Sequence, residues 1–307
     1  MPDPPPLALP SDCAINEAEV RQLAPKWTSI LSDHGEDRLH VLGFDRSDQR
    51  ASQTHMTHIW NGQIPEGSFY VDREGTFIES PPFMFLQAAS ILSFEKLIAF
   101  GDELCGLYSF DENEERGFRK RKEPLTTIAR LEQYLQMASG RPGSKNARRA
   151  LQHLVELSAS PMETYDEMTM ALPYMYGGYC MNKPTMNQEV TLSSRASRIA
   201  HRKKCFLDLG YLENSLDIEH HGKHDHSSNE EKESDRERVA GLREMGIEVI
   251  ELTWKEVADL QAYEFIIERI AKILGKRIDK SKLGPTPERL RLRNELAAWN
   301  SSAGKIR

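Results

Sequence analysis

The sequence lacks the features that would mark it as a membrane or secreted protein. It contains no uninterrupted run of about 20 apolar residues, the length a membrane-spanning helix requires. Its most apolar stretch, residues 83–100, is interrupted by Gln87, Ser93, Glu95 and Lys96. The N-terminus is proline-rich and lacks the basic-then-apolar pattern of a signal peptide. We therefore expect a cytoplasmic protein that does not associate with a membrane.

Cysteine is scarce, and positive charges are fewer than negative ones. The four cysteines lie far apart with no metal-type spacing, so we expect free thiols in a reducing compartment. The formal net charge is −7, which disfavours a generic basic nucleic-acid-binding domain. Positive charge is nevertheless concentrated at one end, because Lys276 to Arg307 contains nine Lys or Arg residues against three Asp or Glu. With 39% hydrophobic and 28% charged residues, the composition is globular.

The pattern along the chain predicts an N-terminal part that is distinct from the rest. Residues 1–10 are expected to be disordered because of their prolines. Residues 11–110 are predicted to form a mixed α+β domain, with a protein partner left open as its role. Its predicted elements are a helix over 16–32, strands at 39–44, 55–60 and 69–71, and a helix opened by Ser80-Pro81-Pro82.

A charge run and a basic end flank the second predicted domain. Residues 111–123 are interpreted as a solvated linker, with a recognition element as the alternative. Residues 124–275 are predicted to form an α/β domain, and residues 276–307 a basic tail. The elements predicted in that domain are helices over 144–157, from Ser160, over 230–245 and over 254–274, and strands at 206–209, 216–220 and 247–252. We expect a mixed sheet in which the third strand is parallel to the second.

Two carboxylates on the predicted hairpin carry the main functional hypothesis. With the turn at Glu213-Asn214, Asp208 lies opposite Glu219 on the neighbouring strand. Directly opposed like charges destabilise a sheet, and a divalent cation such as Mg²⁺ or Mn²⁺ would compensate. Alternation places His221 on the same face as Glu219. The alternative is a solvated edge hairpin, in which a one-residue change of loop length separates the two acids.

Other polar residues have both structural and functional interpretations. The histidines around the same loop suggest a weaker alternative, a Zn²⁺ site at His224 and His226. Glu163 fits a capping box with Ser160, which would explain the glutamate structurally. Asp235 and Arg238 share one face of the charged helix. They either form a solvent-exposed pair or point towards the strand ends.

The order of short motifs between Ser160 and Thr253 resembles the PD-(D/E)XK nuclease superfamily. It is most similar to the very-short-patch-repair-like endonucleases and their uncharacterised bacterial relatives, which include abortive-infection antitoxin-like proteins. The motifs are Ser-Pro-Met-Glu (160–163), Gly-Gly-Tyr (177–179), Pro-x-x-Asn (184–187), Asp-Leu (208–209), Glu219 ending the second strand, Asp-x-x-Arg (235–238) and Gly246 before the last strand. The resemblance implies a restriction-endonuclease-like mixed sheet flanked by helices.

The resemblance also implies a chemistry. Asp208 and Glu219 would hold Mg²⁺ or Mn²⁺, and Glu163 would be a further acidic ligand or water-holder. His221 stands where the superfamily often carries Lys, and it would orient or deprotonate the attacking water. Metal-dependent hydrolysis of DNA is therefore the first hypothesis. The residues expected to contact phosphates are Lys203, Lys204, Arg238, Lys276, Arg277, Arg289, Arg291 and Arg293.

A second hypothesis keeps the fold without the catalysis. In it the protein is a non-catalytic, antitoxin-like regulator that binds nucleic acid or a partner protein. The absent lysine and the net negative charge favour this hypothesis.

Overall fold

The computed structural model describes residues 39–43, 46, 55–60, 63–71, 77–111, 114–221 and 229–301. The predicted disordered segment, the predicted helix over 16–32 and the histidines His224 and His226 lie outside these ranges. The fold is mixed α/β, with several helices around open sheets. Within the described ranges, no helix is long and apolar enough to cross a membrane.

The N-terminal part contains two small sheets followed by two helices. Two strands pair in parallel, β1 (Leu39–Gly43) and β2 (His55–Ile59), and two form a hairpin, β3 (Phe69–Val71) and β4 (Phe77–Glu79). The first helix, α1 (Pro81–Ala88), is capped by Ser80 and carries prolines in its first turn, as predicted. The second helix is α2 (Phe94–Cys105).

The charge run is only partly a linker. Its second half pairs with the preceding chain in a hairpin of β5 (Tyr108–Phe110) and β6 (Phe118–Lys120). Arg121 donates hydrogen bonds to the carbonyls of Glu103 and Gly106, which ties the segment to the end of α2. The backbone carbonyls at a helix end lack partners within the helix, and this arginine satisfies them.

The helix predicted over 144–157 ends early. The central helices are α3 (Ile128–Met137), α4 (Ser144–Leu151) and α5 (Pro161–Ala171). After Leu151 the chain turns away, and the amide of Val155 donates a 2.8 Å hydrogen bond to the buried carboxylate of Asp102. A continued helix would withhold that donor from a buried charge, so the tertiary contact overrides the amphipathic pattern.

The largest sheet has four strands in the order β10-β9-β8-β7. The strands are β7 (Thr185–Thr191), β8 (Lys204–Tyr211), β9 (Leu216–His221) and β10 (Glu248–Thr253). The first three are antiparallel neighbours, and β10 is parallel to β9, as predicted. Two helices connect the strands, α6 (Ser194–Ile199) after β7 and α7 (Asn229–Glu244) after β9. The three residue pairs that join β8 to β9, Leu209 with Ile218, Gly210 with Asp217 and Tyr211 with Leu216, have the predicted register.

The C-terminal region differs from the prediction in two ways. The predicted helix over 254–274 is two helices, α8 (Trp254–Ala258) and α9 (Leu260–Ile273). Asp259 separates them with extended backbone, and its carboxylate accepts from the amides of Gln261 and Ala262. The predicted basic tail contains a further helix, α10 (Pro287–Ser301).

Replacing the exposed Asp259 with alanine should lower the free energy of unfolding by about 1 kcal/mol, because α9 loses its N-cap. Denaturant titration measures this. Asp259→Asn is the matched control and should stay near wild type, since asparagine caps as well as aspartate. Equal losses in the two variants would contradict the capping role.

One hydrophobic cluster runs from Trp60 to Trp299 and contains residues of both predicted domains. The ring of Trp299 on α10 packs edge-to-face on two other rings. Its centroid lies 6.2 Å from that of Phe100 on α2 and 5.9 Å from that of Phe110 on β5. A smaller cluster lies among α6, α7 and one end of the sheet. The predicted domain boundaries therefore stay a prediction, and the described residues on either side of them share a core.

Candidate acidic site

The start of α5 places Glu163 in a buried position. Ser160 caps the helix, with its hydroxyl accepting from the Glu163 amide at 3.2 Å. The Glu163 carboxylate accepts from the Ala159 amide at 2.7 Å and from Asn187 Nδ2 at 2.9 Å. A capping box would require it to accept from the backbone amide of Ser160 instead. Burial raises the pKa of Glu163, and these hydrogen bonds oppose the rise.

Asp208 lies on β8, where the charges of Glu163 and Glu219 reach it. Burial is the largest cause of its raised pKa, and the two neighbouring carboxylates add to it, so that the pKa of Asp208 is about 8. Arg238 and Lys120 act in the opposite direction. The charges of Glu163 and Glu219 thus act on Asp208, and a shared metal-binding role for the three carboxylates stays a prediction.

Arg238 neutralises Glu219 directly. The Glu219 side chain is 3% exposed, and its two carboxylate oxygens accept from Nη1 and Nη2 of Arg238 on α7. The guanidinium also donates to Asp235 Oδ1, at 2.8 Å from Nη2 and 3.2 Å from Nε. A two-pronged arginine–carboxylate contact is among the stronger hydrogen-bonded pairs in proteins. Both interpretations of Asp235 and Arg238 hold in part, because the two residues pair within the helix and Arg238 also reaches Glu219 on the strand.

Asp217 is an acidic neighbour that sequence reasoning missed. It is fully buried on β9, two residues before Glu219 and therefore on the same face of the strand. Burial, followed by the charge of Glu219, raises the pKa of Asp217 to about 9. The alternation of Asp217 with Glu219 was the available signal, since two acids on one face of an otherwise apolar strand are unusual.

His220, next to Glu219 on β9, points to the opposite face of the sheet. His220 Nδ1 lies 2.7 Å from Asp166 Oδ2, and both side chains are almost completely buried between β9 and α5. The side chain of His221 lies outside the described residues, as do His224 and His226. The predicted general base and the Zn²⁺ alternative therefore stay predictions.

The residues of the site, as placed, do not fit a divalent cation. Metal ligands must be deprotonated and free to coordinate. Glu219 is bound by Arg238, and Glu163 accepts from the Ala159 amide and from Asn187. Among the residues that the structure describes, no group of three or more His, Cys, Asp or Glu is placed to hold a metal. The counter-charge of Glu219 in the structure is the guanidinium of Arg238, and the predicted Mg²⁺ or Mn²⁺ stays a prediction.

The predicted phosphate-contacting residues separate into exposed and internal ones. Lys203, Lys276 and Arg277 are exposed, and Lys204 Nζ donates to Glu189 Oε1 at 2.6 Å. The guanidinium of Arg238 forms an ion pair with Glu219.

The arginines of α10 are structural to different degrees. The prediction that Arg289 contacts phosphates is wrong, because this residue is only 2% exposed. Its guanidinium lies 4.0 Å from the centre of the Tyr179 ring and donates to Glu264 Oε1 at 3.1 Å. A group enclosed in this way does not reach a DNA backbone. Arg291 pairs with Glu95, and Arg293 donates to the carbonyls of Val257 and Ala258.

Lys120 is a second residue that sequence reasoning missed. Its charge lowers the pKa of both Glu163 and Asp208, and the residue lies on β6. Lys120 pairs with Tyr108 in the hairpin, and the Tyr108 hydroxyl lies 3.2 Å from Thr164 Oγ1, next to Glu163. Nothing in the spacing of the sequence indicates this approach, because the hairpin reaches α5 only through tertiary packing.

No family model matches the chain, and neither a curated protein nor a solved structure matches it. The resemblance to the nuclease superfamily therefore stays a prediction that rests on the motifs and on the order of the elements.

Proposed function

We propose that the protein binds duplex DNA without hydrolysing it, through a nuclease-like core whose acidic site is closed by arginine. The observation that carries this proposal is the two-pronged contact of Arg238 with Glu219. Glu219, one of the two expected metal ligands, has its counter-charge supplied by the protein itself.

The energetics of buried ion pairs favour a closed site. A divalent cation that binds Glu219 has to displace the guanidinium and leave Arg238, which is 17% exposed, with only Asp235 as a partner. Breaking a buried pair by removing one partner costs about 3–5 kcal/mol. A metal that competes with Arg238 would compensate the charge of Glu219 itself, so only the part of this cost that concerns the displaced guanidinium opposes it.

The order of the elements supports the nuclease-like core. Helix α5 precedes three antiparallel strands, and α7 then leads to β10, which is parallel to β9. Glu163, Asp208 and Glu219 occupy the helix and the two strands on which the resemblance expects acidic residues. This agreement supports a shared architecture and leaves the chemistry to be tested.

Exposed cations favour DNA as the partner. Non-specific DNA binding arises mainly from Lys and Arg residues that contact phosphates. The exposed cations between α9 and α10 are Lys276, Arg277, Lys280 and Lys282, and Lys203 is exposed at the start of β8. They offer phosphate contacts although the whole chain is acidic.

We expect the full-length protein to bind a fluorescein-labelled DNA duplex in the presence of chelator and to leave supercoiled plasmid intact in Mg²⁺ or Mn²⁺. Fluorescence anisotropy and agarose gels measure the two properties, and binding should weaken as salt is raised. Absence of DNA binding at low salt would contradict the proposal.

A metal-dependent DNA endonuclease is the second candidate function. The convergence of Glu163, Asp208 and Glu219 on one site favours it. Plasmid nicking that requires Mg²⁺ or Mn²⁺ and is lost in both Asp208→Ala and Glu219→Ala would establish this function and overturn the first. Asp235→Ala is not a suitable control, because Asp235 contacts Arg238.

A further inference from the structure

We infer that a basic cleft between the end of α9 and the following loop is the site where the protein binds DNA phosphates. This inference rests on the proposed DNA binding and assigns it to a place. The cleft has a volume of about 850 Å³. Its charged lining residues are Lys272, Lys276, Arg277 and Lys280, with Glu268 and Asp279.

The charge of the cleft suits a phosphodiester backbone. Four cations face two carboxylates, and one of those carboxylates is already engaged within the loop. Asp279 Oδ1 accepts from the amide of Ser281 at 3.0 Å and from its hydroxyl at 2.7 Å. The three lysines and Arg277 are exposed, so their side chains can approach the phosphates of a bound DNA strand.

The loop that carries Lys276, Arg277 and Lys280 is held by hydrogen bonds to other parts of the protein. Arg289 donates to the carbonyls of Lys282 and Gly284, both at 2.8 Å. Glu264 accepts from the amide of Gly284 at 2.7 Å and also bonds Arg289. The amide of Asp279 donates to the Tyr174 hydroxyl at 3.3 Å. A loop fixed before binding loses less conformational entropy when the ligand arrives.

This arrangement gives Arg289 a definite part in the inference. The residue is buried and does not contact DNA, and it instead holds the carbonyls of Lys282 and Gly284 in the same loop. Among the described residues, those that line the cleft include neither Glu219 nor Arg238. DNA binding in the cleft therefore does not require the acidic site to be open.

The test compares two double variants that remove the same charge. In Lys276→Ala/Arg277→Ala we expect affinity for the labelled duplex to fall about tenfold, and the slope of log affinity against log salt to decrease in magnitude by about 2, since about one unit is lost for each phosphate contact. The control variant Lys145→Ala/Lys255→Ala removes exposed lysines of α4 and α8, and its affinity for the duplex should fall less than that of the cleft variant. A thermal melt of each variant confirms that it is folded.

The outcomes separate this inference from the proposed function. Equal weakening in the two double variants, or full affinity in the cleft variant, would overturn the cleft as the site and leave DNA binding standing. Absence of DNA binding in the wild-type protein would overturn both.

Discussion

Replacing Arg238 with methionine should lower the free energy of unfolding by about 3–5 kcal/mol, because it leaves the Glu219 carboxylate buried without its counter-charge. Methionine fills much of the space of the aliphatic part of arginine, so the loss reports mainly on charge. Urea titration near neutral pH measures the difference. A loss below about 1 kcal/mol would show that the pair contributes no more than an ordinary surface ion pair.

Arg243→Met is the matched control for this experiment. Arg243 lies on the same helix and is exposed, so its replacement should change stability by less than about 0.5 kcal/mol. The double variant Glu219→Leu/Arg238→Met removes both charges together and should recover most of the loss, because a buried pair is often replaceable by apolar residues. Failure of the double variant to recover stability would indicate that Arg238 acts through contacts other than Glu219.

Replacing Glu167 with glutamine should stabilise the protein at high pH and reduce the dependence of its stability on pH. Glu167 on α5 is buried, and burial raises the pKa of its carboxyl to about 8. Its charge in turn helps to raise the pKa of the buried Asp102 on α2. Within the described part of the chain, Glu167 Oε2 and Asp102 Oδ2 have no hydrogen-bond partner.

The sign follows from the direction of the shift. Because the folded protein holds the Glu167 proton more tightly than the unfolded chain, the stabilisation is fully present below the ordinary pKa of 4.5. It is lost as pH rises through about 8, at up to about 1.4 kcal/mol per pH unit. Glutamine carries no titrating proton, so the difference in stability between Glu167→Gln and wild type should grow with pH in that window.

Denaturant titrations at several pH values between 5 and 8 measure this difference. Glu132→Gln makes the same charge change at an exposed position of α3 and should run parallel to wild type. Asp208, Asp217 and Glu103 also have raised pKa values and contribute to the wild-type slope in the same direction. Parallel curves for Glu167→Gln and wild type would mean that Glu167 titrates in the folded protein much as it does in the unfolded chain.

Local patterns in the sequence predicted a large part of the sheet. Apolar runs marked the strands around Leu209, Ile218 and Ile250, and the turn near Glu213 was enough to predict the register that the structure shows. Ser80 and Ser160 were recognisable as helix caps because their effect is confined to the next three residues. Gly246 likewise has the positive φ, 78°, expected after a helix end.

Contacts between distant parts of the chain were beyond such patterns. The early end of α4 depends on Asp102, 53 residues before its partner Val155. Arg289, expected at the surface, is enclosed by Tyr179 and Glu264. The approach of Lys120 to the acidic site follows from the packing of a hairpin against α5.

Composition, caps, turns and alternation were thus sufficient to indicate an α/β chain with Asp208 and Glu219 on adjacent strands, since each of these signals acts over a few residues. The charge state of that pair could not be read in the same way. It depends on burial and on Arg238, which approaches Glu219 from a helix 19 residues further along the chain. Side chains far apart in sequence meet only once the core has formed, and in this protein that meeting pairs Glu219 with the guanidinium of Arg238.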